Sequence, residues 1–167
     1  TLIRKQVLAL ATWHLEKYQN DVPILLTLTV PNVKGEDIGK TIDRMSKAYE
    51  RLSRRKVVKG MNRSWFKSLE ITYNRDRNDF HPHFHTMIMV RPEYFNPNSP
   101  LYITHERWLK LWQEAMRDPT ITQVNIQVIK DKGEGTLAAI VAEVAKYTTK
   151  PGSYVVENKN GEVEVNE

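Results

Sequence analysis

Cysteine is absent from the 167 residues, which excludes disulfides, thiolate metal sites and cysteine nucleophiles. No apolar run approaches the length a bilayer-spanning helix requires, and no signal peptide opens the chain, so no membrane partner is implied. Internal repeats, low-complexity tracts and long linkers are missing too, which leaves a single domain over residues 1–167 as the simplest organisation. The first residue is Thr1 rather than Met, so that domain is expected to be a fragment of a longer protein. What is present is ordinary globular material, 40% hydrophobic and 27% charged. Lack of cysteine suits a reducing cytosol. The net charge of +5 and pI near 9.4 favour an anionic partner, although solubility alone would explain the same balance.

Apolar spacing divides the chain into alternating elements. Leu2, Val7, Leu10, Ala11, His14 and Leu15 recur at helical spacing over residues 2–18. Ile24 to Val30 (ILLTLTV) is aliphatic and β-branched, stops at Pro31-Asn32, and reads as a strand. Ile38, Ile42, Met45, Tyr49 and Leu52 form the stripe of a second helix. Trp65 to Tyr73 and Phe80 to Val90 are strand-like runs joined by a polar segment, Asn74 to Asp79, and predict a hairpin. Thr104 caps a helix carrying Trp108, Leu111, Trp112 and Ala115, and the two tryptophans are expected in the core. Ile121 to Ile129 alternates as a strand, and Thr136 to Thr148 is a helix with Leu137, Ile140, Val141 and Val144 inward. Beyond Pro151-Gly152 the tail is polar, with one short strand expected at Tyr154 to Val156. Strands interleaved with helices, mostly antiparallel by their connections, predict an α+β fold with helices on a sheet.

The densest chemistry lies in His81-Pro82-His83-Phe84-His85. Alternate strand residues share a face, so His83 and His85 point together, about 6–7 Å apart, close enough to converge on one divalent ion. His81 lies about 13 Å from His85 on a straight strand, so it either joins through a bend at Pro82 or neighbours the site. Isolated strand histidines are usually just hydrogen-bonded or exposed, but three in alternation favour a metal. If the hairpin turn centres between Asp76 and Arg77, Glu70 falls opposite His83, on the same face, and supplies a third ligand. A slip of one residue would turn Glu70 away to solvent. Two nitrogens and a carboxylate suit Mn²⁺ or Mg²⁺ acting on a phosphate, and do not exclude Zn²⁺.

Glu143 and Tyr147 stand four residues apart at the edge of the last helix stripe, with Lys150 one turn further. Such pairs are routine in helices and carry little meaning alone. The set of segments, in its order, resembles the HUH endonucleases, in particular the bacterial plasmid rolling-circle replication initiators. Leu25 to Asn32 resembles the family's first motif, and Leu69 to Tyr73 with Phe80 to His85 its metal-binding motif. Glu143 to Lys150 resembles its tyrosine motif, with a single catalytic tyrosine. The resemblance implies a five-stranded antiparallel sheet carrying the histidines and a tyrosine helix packed beside it. It implies further that Tyr147 attacks a phosphodiester in single-stranded or hairpin origin DNA. A 5′-phosphotyrosyl bond and a free 3′-hydroxyl would result, the latter for a host helicase and polymerase to use in the bacterial cytoplasm. Glu143 is then a partner or water-activating base, and Lys150 an electrostatic aid.

For DNA contact, Lys40, Arg44, Lys47, Arg51 and Arg55 run down the polar side of the second helix, followed by Arg63 and Lys67. The competing reading is a solvated helix face. Arg75 and Arg77 at the hairpin tip, with Trp65 and Tyr73 nearby, are candidates to grip or stack unpaired bases. Two rival functions share these features: a metal-dependent hydrolase without a covalent intermediate, and a non-catalytic single-strand-binding module with a structural metal.

Overall fold

The structure, a computed structural model, describes residues 2–147, 154–157 and 163–166, and of residues 3, 64, 65, 147 and the last two strands it describes the backbone alone. In chain order the elements are α1 (Leu2–Lys17), β1 (Val22–Thr29), α2 (Ile38–Arg54), α3 (Lys56–Met61), β2 (Asn62–Asn74), β3 (Asp79–Val90), α4 (His105–Met116), β4 (Val124–Val128), α5 (Thr136–Tyr147), β5 (Tyr154–Glu157) and β6 (Val163–Asn166). The strands form one sheet in the order β4-β1-β3-β2-β5-β6. The α+β architecture is the one the spacing predicts. Among the described residues the sheet has six strands rather than five, and β5 joins β2 in parallel while the other neighbours are antiparallel.

The period of two along each strand sends alternate side chains to opposite layers. One layer buries Ile24, Leu26 and Leu28 of β1 and Phe84, Ile88 and Val90 of β3 against Met45, Tyr49 and Leu52 of α2 and Trp108, Leu111 and Trp112 of α4. Both tryptophans are fully buried, and each indole N–H is satisfied: Trp108 donates to the Tyr94 hydroxyl at 2.9 Å and Trp112 to the Thr29 carbonyl at 2.7 Å. The other layer is smaller: Leu25, Met87 and Met89 meet Val7 and Ala11 of α1 and Ile140 and Val144 of α5. On α1 the inward residues are Val7, Ala11 and His14, while Leu2 and Leu10 of the expected stripe stand exposed.

Local chemistry explains the boundaries. The Thr104 hydroxyl accepts from the Arg107 amide at 3.0 Å, a working N-cap for α4. At the far end of that helix, Arg117 adopts the left-handed conformation that ends the spiral. The short α3 was not foreseen: its Val57-Val58 pair favours extended backbone, yet Val58 and Met61 are buried, so packing overrides propensity. No helix among the described residues is long and apolar enough to cross a membrane.

Candidate metal centre and active site

The hairpin closes on the turn centre that places the carboxylate. Asn74 pairs with Asp79, so four residues, Arg75 to Asn78, form the tip, and Glu70 pairs with His83. Asn78 takes φ 49°, a left-handed value that asparagine tolerates. The tip is tied down by the Arg77 amide donating to the Asn74 side chain at 3.0 Å and by the Lys34 ammonium donating to the Arg77 carbonyl at 2.7 Å. Phe84 and Pro82 are buried on the α2 side, leaving His81, His83, His85 and Glu70 on the face shared with α5.

One ligand atom from each of Glu70, His83 and His85 lies within 4.8 Å of the others. The His85 Nε2 is in hydrogen-bond contact with a Glu70 carboxylate oxygen, and that bond holds the Glu70 carboxyl below its ordinary range despite burial. Burial, reinforced by the neighbouring His81, pushes His83 down to about 4, so its imidazole is neutral and one ring nitrogen has a lone pair available. The His83 Nδ1 is buried with no hydrogen-bond partner among the described residues. A buried acceptor without a donor, beside a carboxylate and a second imidazole, is the donor set of a divalent-ion site, and these residues fit one. His81 contacts the cluster at one remove: its Nδ1 lies 3.2 Å from His83 Nε2. It is a neighbour of the triad rather than a member of it.

One supporting residue escaped the sequence reading. Thr27 of β1 pairs with His85 across the sheet, and its hydroxyl meets the His85 Nδ1 at 3.1 Å. Such a bond fixes ring orientation and leaves the other nitrogen for the ligand position. The signal was available in β1, where Thr27 and Thr29 interrupt an aliphatic run with the period of a strand face.

Helix α5 lies over the same layer. Its buried Ile140 and Val144 seat it on the sheet, and Glu143, Val144, Ser68 and His85 line a narrow gap between helix and strands. Glu143 is therefore beside the triad, and it also pairs with Lys146 at 2.7 Å. Tyr147 is the last residue of α5, at the end nearer this gap. Lys150 lies outside the described residues.

The DNA-contact candidates divide. Lys40, Arg44 and Lys47 are exposed on α2, but α2 packs on the layer opposite the histidines, so that stripe does not reach the site. Arg51 donates twice to the Ala115 carbonyl at the end of α4, and Arg55 pairs with Glu114, so both are engaged in holding α2 to α4. Arg63 pairs with buried Asp21 at 3.1 Å and lies over the Tyr18 ring. Lys67 sits over the rings of Tyr49 and Phe84, also on the far layer. Arg75 is exposed at the tip, whereas Arg77 pairs with Asp79, and Tyr73 stacks on Phe80 and donates to Asn78. On the site's layer, Lys130, Lys132 and Lys146 line a cavity of about 320 Å³ between β4 and α5 together with Glu143.

A family model described as Replication protein matches residues 3–165. The chain belongs to that family. Among its relatives, the protein rep of Streptococcus pneumoniae serotype 2 is 36% identical over 136 residues, 81% of this chain and 42% of that one. The protein rep of Staphylococcus aureus is 34% identical over 149 residues, covering 89% of this replication protein and 63% of its relative. A Bacillus protein rep is 36% identical over 156 residues, with 86% and 50% covered. The chain thus spans about half the length of the curated relatives it matches. No solved structure matches it. Family membership bears out the resemblance carried by the motifs.

Proposed function

We propose that this replication protein is the DNA-nicking domain of a plasmid rolling-circle initiator, cutting one strand by tyrosine transesterification. The observation that carries the reading is the clustering of Glu70, His83 and His85 on the sheet face beside the helix that ends in Tyr147. Glu70, His83 and His85 would hold a divalent ion that polarises the scissile phosphate when bound. Two imidazoles suit Mn²⁺ better than Mg²⁺, whose usual ligands are oxygens.

The chain's own groups do the rest. The Tyr147 phenol oxygen attacks phosphorus, and the bond from phosphorus to the 3′-oxygen breaks. One proton leaves the phenol and one arrives on the 3′-oxygen, giving a 5′-phosphotyrosyl strand and a free 3′-hydroxyl. A phenol with a pKa of about 10 needs cationic neighbours, and Lys146 and Lys150 are the ones the sequence places near it. Lys130, Lys132 and Lys146 track the phosphates of single-stranded or hairpin origin DNA in place of the α2 stripe. Glu143, one turn before Tyr147, takes a proton from water in a later hydrolytic cut that ends replication. A host helicase unwinds the duplex and a polymerase extends the 3′-end in the bacterial cytoplasm, with residues 1–167 acting as a single nicking domain.

Incubation with single-stranded origin oligonucleotides and Mn²⁺ tests this on a denaturing gel. Wild type is expected to form a covalent protein–DNA adduct. Tyr147→Phe is expected to bind DNA and form none. Glu143→Gln is expected to keep the adduct while free cleaved product falls well below wild type. Adduct at wild-type yield from Tyr147→Phe would remove Tyr147 as the nucleophile.

A further inference from the structure

Beside the ligand cluster, where β1 ends, lies a second cavity of about 230 Å³. Its walls include Thr29 and Asn32 from the end of β1, His81 from β3, and Thr120, Thr122 and Gln123 from the segment leading into β4. Thr29 pairs with His83 across the sheet, and His81 contacts His83, so the cavity opens one residue step from the metal ligands. Its shape is fixed on two sides. The Thr29 hydroxyl donates to the Gln123 carbonyl at 3.1 Å, and the Asn32 amide donates to Asp79 at 2.8 Å.

The lining holds hydroxyls, side-chain amides and an imidazole, and no lysine or arginine. A phosphate would want cations there. Neutral donors and acceptors instead match the edges of an unpaired base, which Asn and Gln read through their paired amide groups. At about 230 Å³ the cavity falls below the roughly 300–1,000 Å³ of sites for drug-sized ligands, and suits a single planar ring system. Thr122 and Gln123 are exposed at its rim, and neither side chain is committed to another described residue.

We propose that this cavity is a base-reading subsite: it takes one unpaired nucleobase next to the scissile phosphate and so helps to choose where the strand is cut. The proposal rests on the nuclease reading above. A nucleotide whose base sits against Gln123 and Asn32 would bring its own phosphate past His81 to the triad. Sequence choice and cleavage register would then be set by one element, the junction of β1 with the approach to β4.

The test is selection from a randomised single-stranded DNA pool with Mn²⁺, comparing the full chain with a Thr122→Ala/Gln123→Ala variant, and sequencing strands cut by each. Both substitutions are at exposed positions and neither residue belongs to the ligand triad or to α5. Wild type is expected to enrich one base at a position adjoining the break. The variant is expected to lose that enrichment roughly tenfold, the weight of a good side-chain contact to a base edge, while enrichment at other positions holds. Unchanged enrichment in a variant that still cuts would overturn the subsite and leave the nuclease reading standing. An equal loss at every position would also overturn it, since a reader of one base acts at one column. No retention or cutting by wild type would overturn the nuclease reading, and the subsite with it.

Discussion

Along β3 the even-numbered Phe84, Ile88 and Val90 turn to α2 and α4, while His81, His83 and His85 turn to the layer of α5. The first layer is filled by large apolar side chains with every indole N–H satisfied. The second holds fewer buried apolar residues, the Glu70, His83 and His85 cluster, and a buried His83 Nδ1 with no partner among the described residues. A buried ring nitrogen without a partner costs stability, so a cluster of two imidazoles and a carboxylate around it is suited to a ligand rather than to packing. The difference teaches that one sheet divides labour between its faces: one face holds the fold together, and the other holds ligands open.

That division can be broken by substitution. On the open face, His83→Ala or His85→Ala is expected to abolish cleavage and Mn²⁺ binding while the melting temperature moves by no more than about a few degrees. Glu70→Ala is expected to weaken Mn²⁺ markedly, and His81→Ala less. Calorimetric titration beside a thermal melt reads both quantities, and equal losses at Glu70 and an unrelated surface glutamate would remove Glu70 from the site. On the packed face, Trp112→Ala is expected to cost about 3–5 kcal/mol in denaturant unfolding. Loss of cleavage without loss of stability in that variant would contradict the division.

Two smaller changes sharpen the contrast. Thr27→Val keeps shape but removes the hydroxyl on His85, and Mn²⁺ affinity is expected to fall roughly 10–100-fold. Stability should hardly change, and recovery of affinity in Thr27→Ser would mark the effect as one of ring positioning. Thr104→Ala removes the N-cap of α4 on the packed side and is expected to cost about 1 kcal/mol, with metal affinity untouched. A shift in metal affinity there would tie the two layers together.

Much of the site could be read before any coordinates, because it lies within one hairpin. Strand alternation and a short turn fix the facing of Glu70, His83 and His85, and both are local properties. The N-cap at Thr104 and the burial of Trp108 and Trp112 were legible for the same reason. What could not be read is which layer each helix covers. The polar stripe of α2 has the spacing of a DNA-binding face, but chain topology sets it behind the sheet and engages Arg51 and Arg55 with α4. Thr27 was missed because its partner is 58 residues away, and β6 because a four-residue polar strand carries almost no periodicity.

Strand β1 has a consequence for how the chain can vary. Ile24, Leu26 and Leu28 belong to the packed layer, while Leu25 meets α1 and α5, Thr27 holds His85, and Thr29 closes the second cavity and receives the Trp112 indole N–H on its carbonyl. Every position from Ile24 to Thr29 is thus under demand from one layer or the other, and the backbone at Thr29 from both. A saturation library across β1 should return few working clones, whereas one across the tip at Arg75 to Asn78, four exposed residues, should return many. Attempts to repack the core would also be felt at the ligands, because β1 has no side that can shift without moving the other.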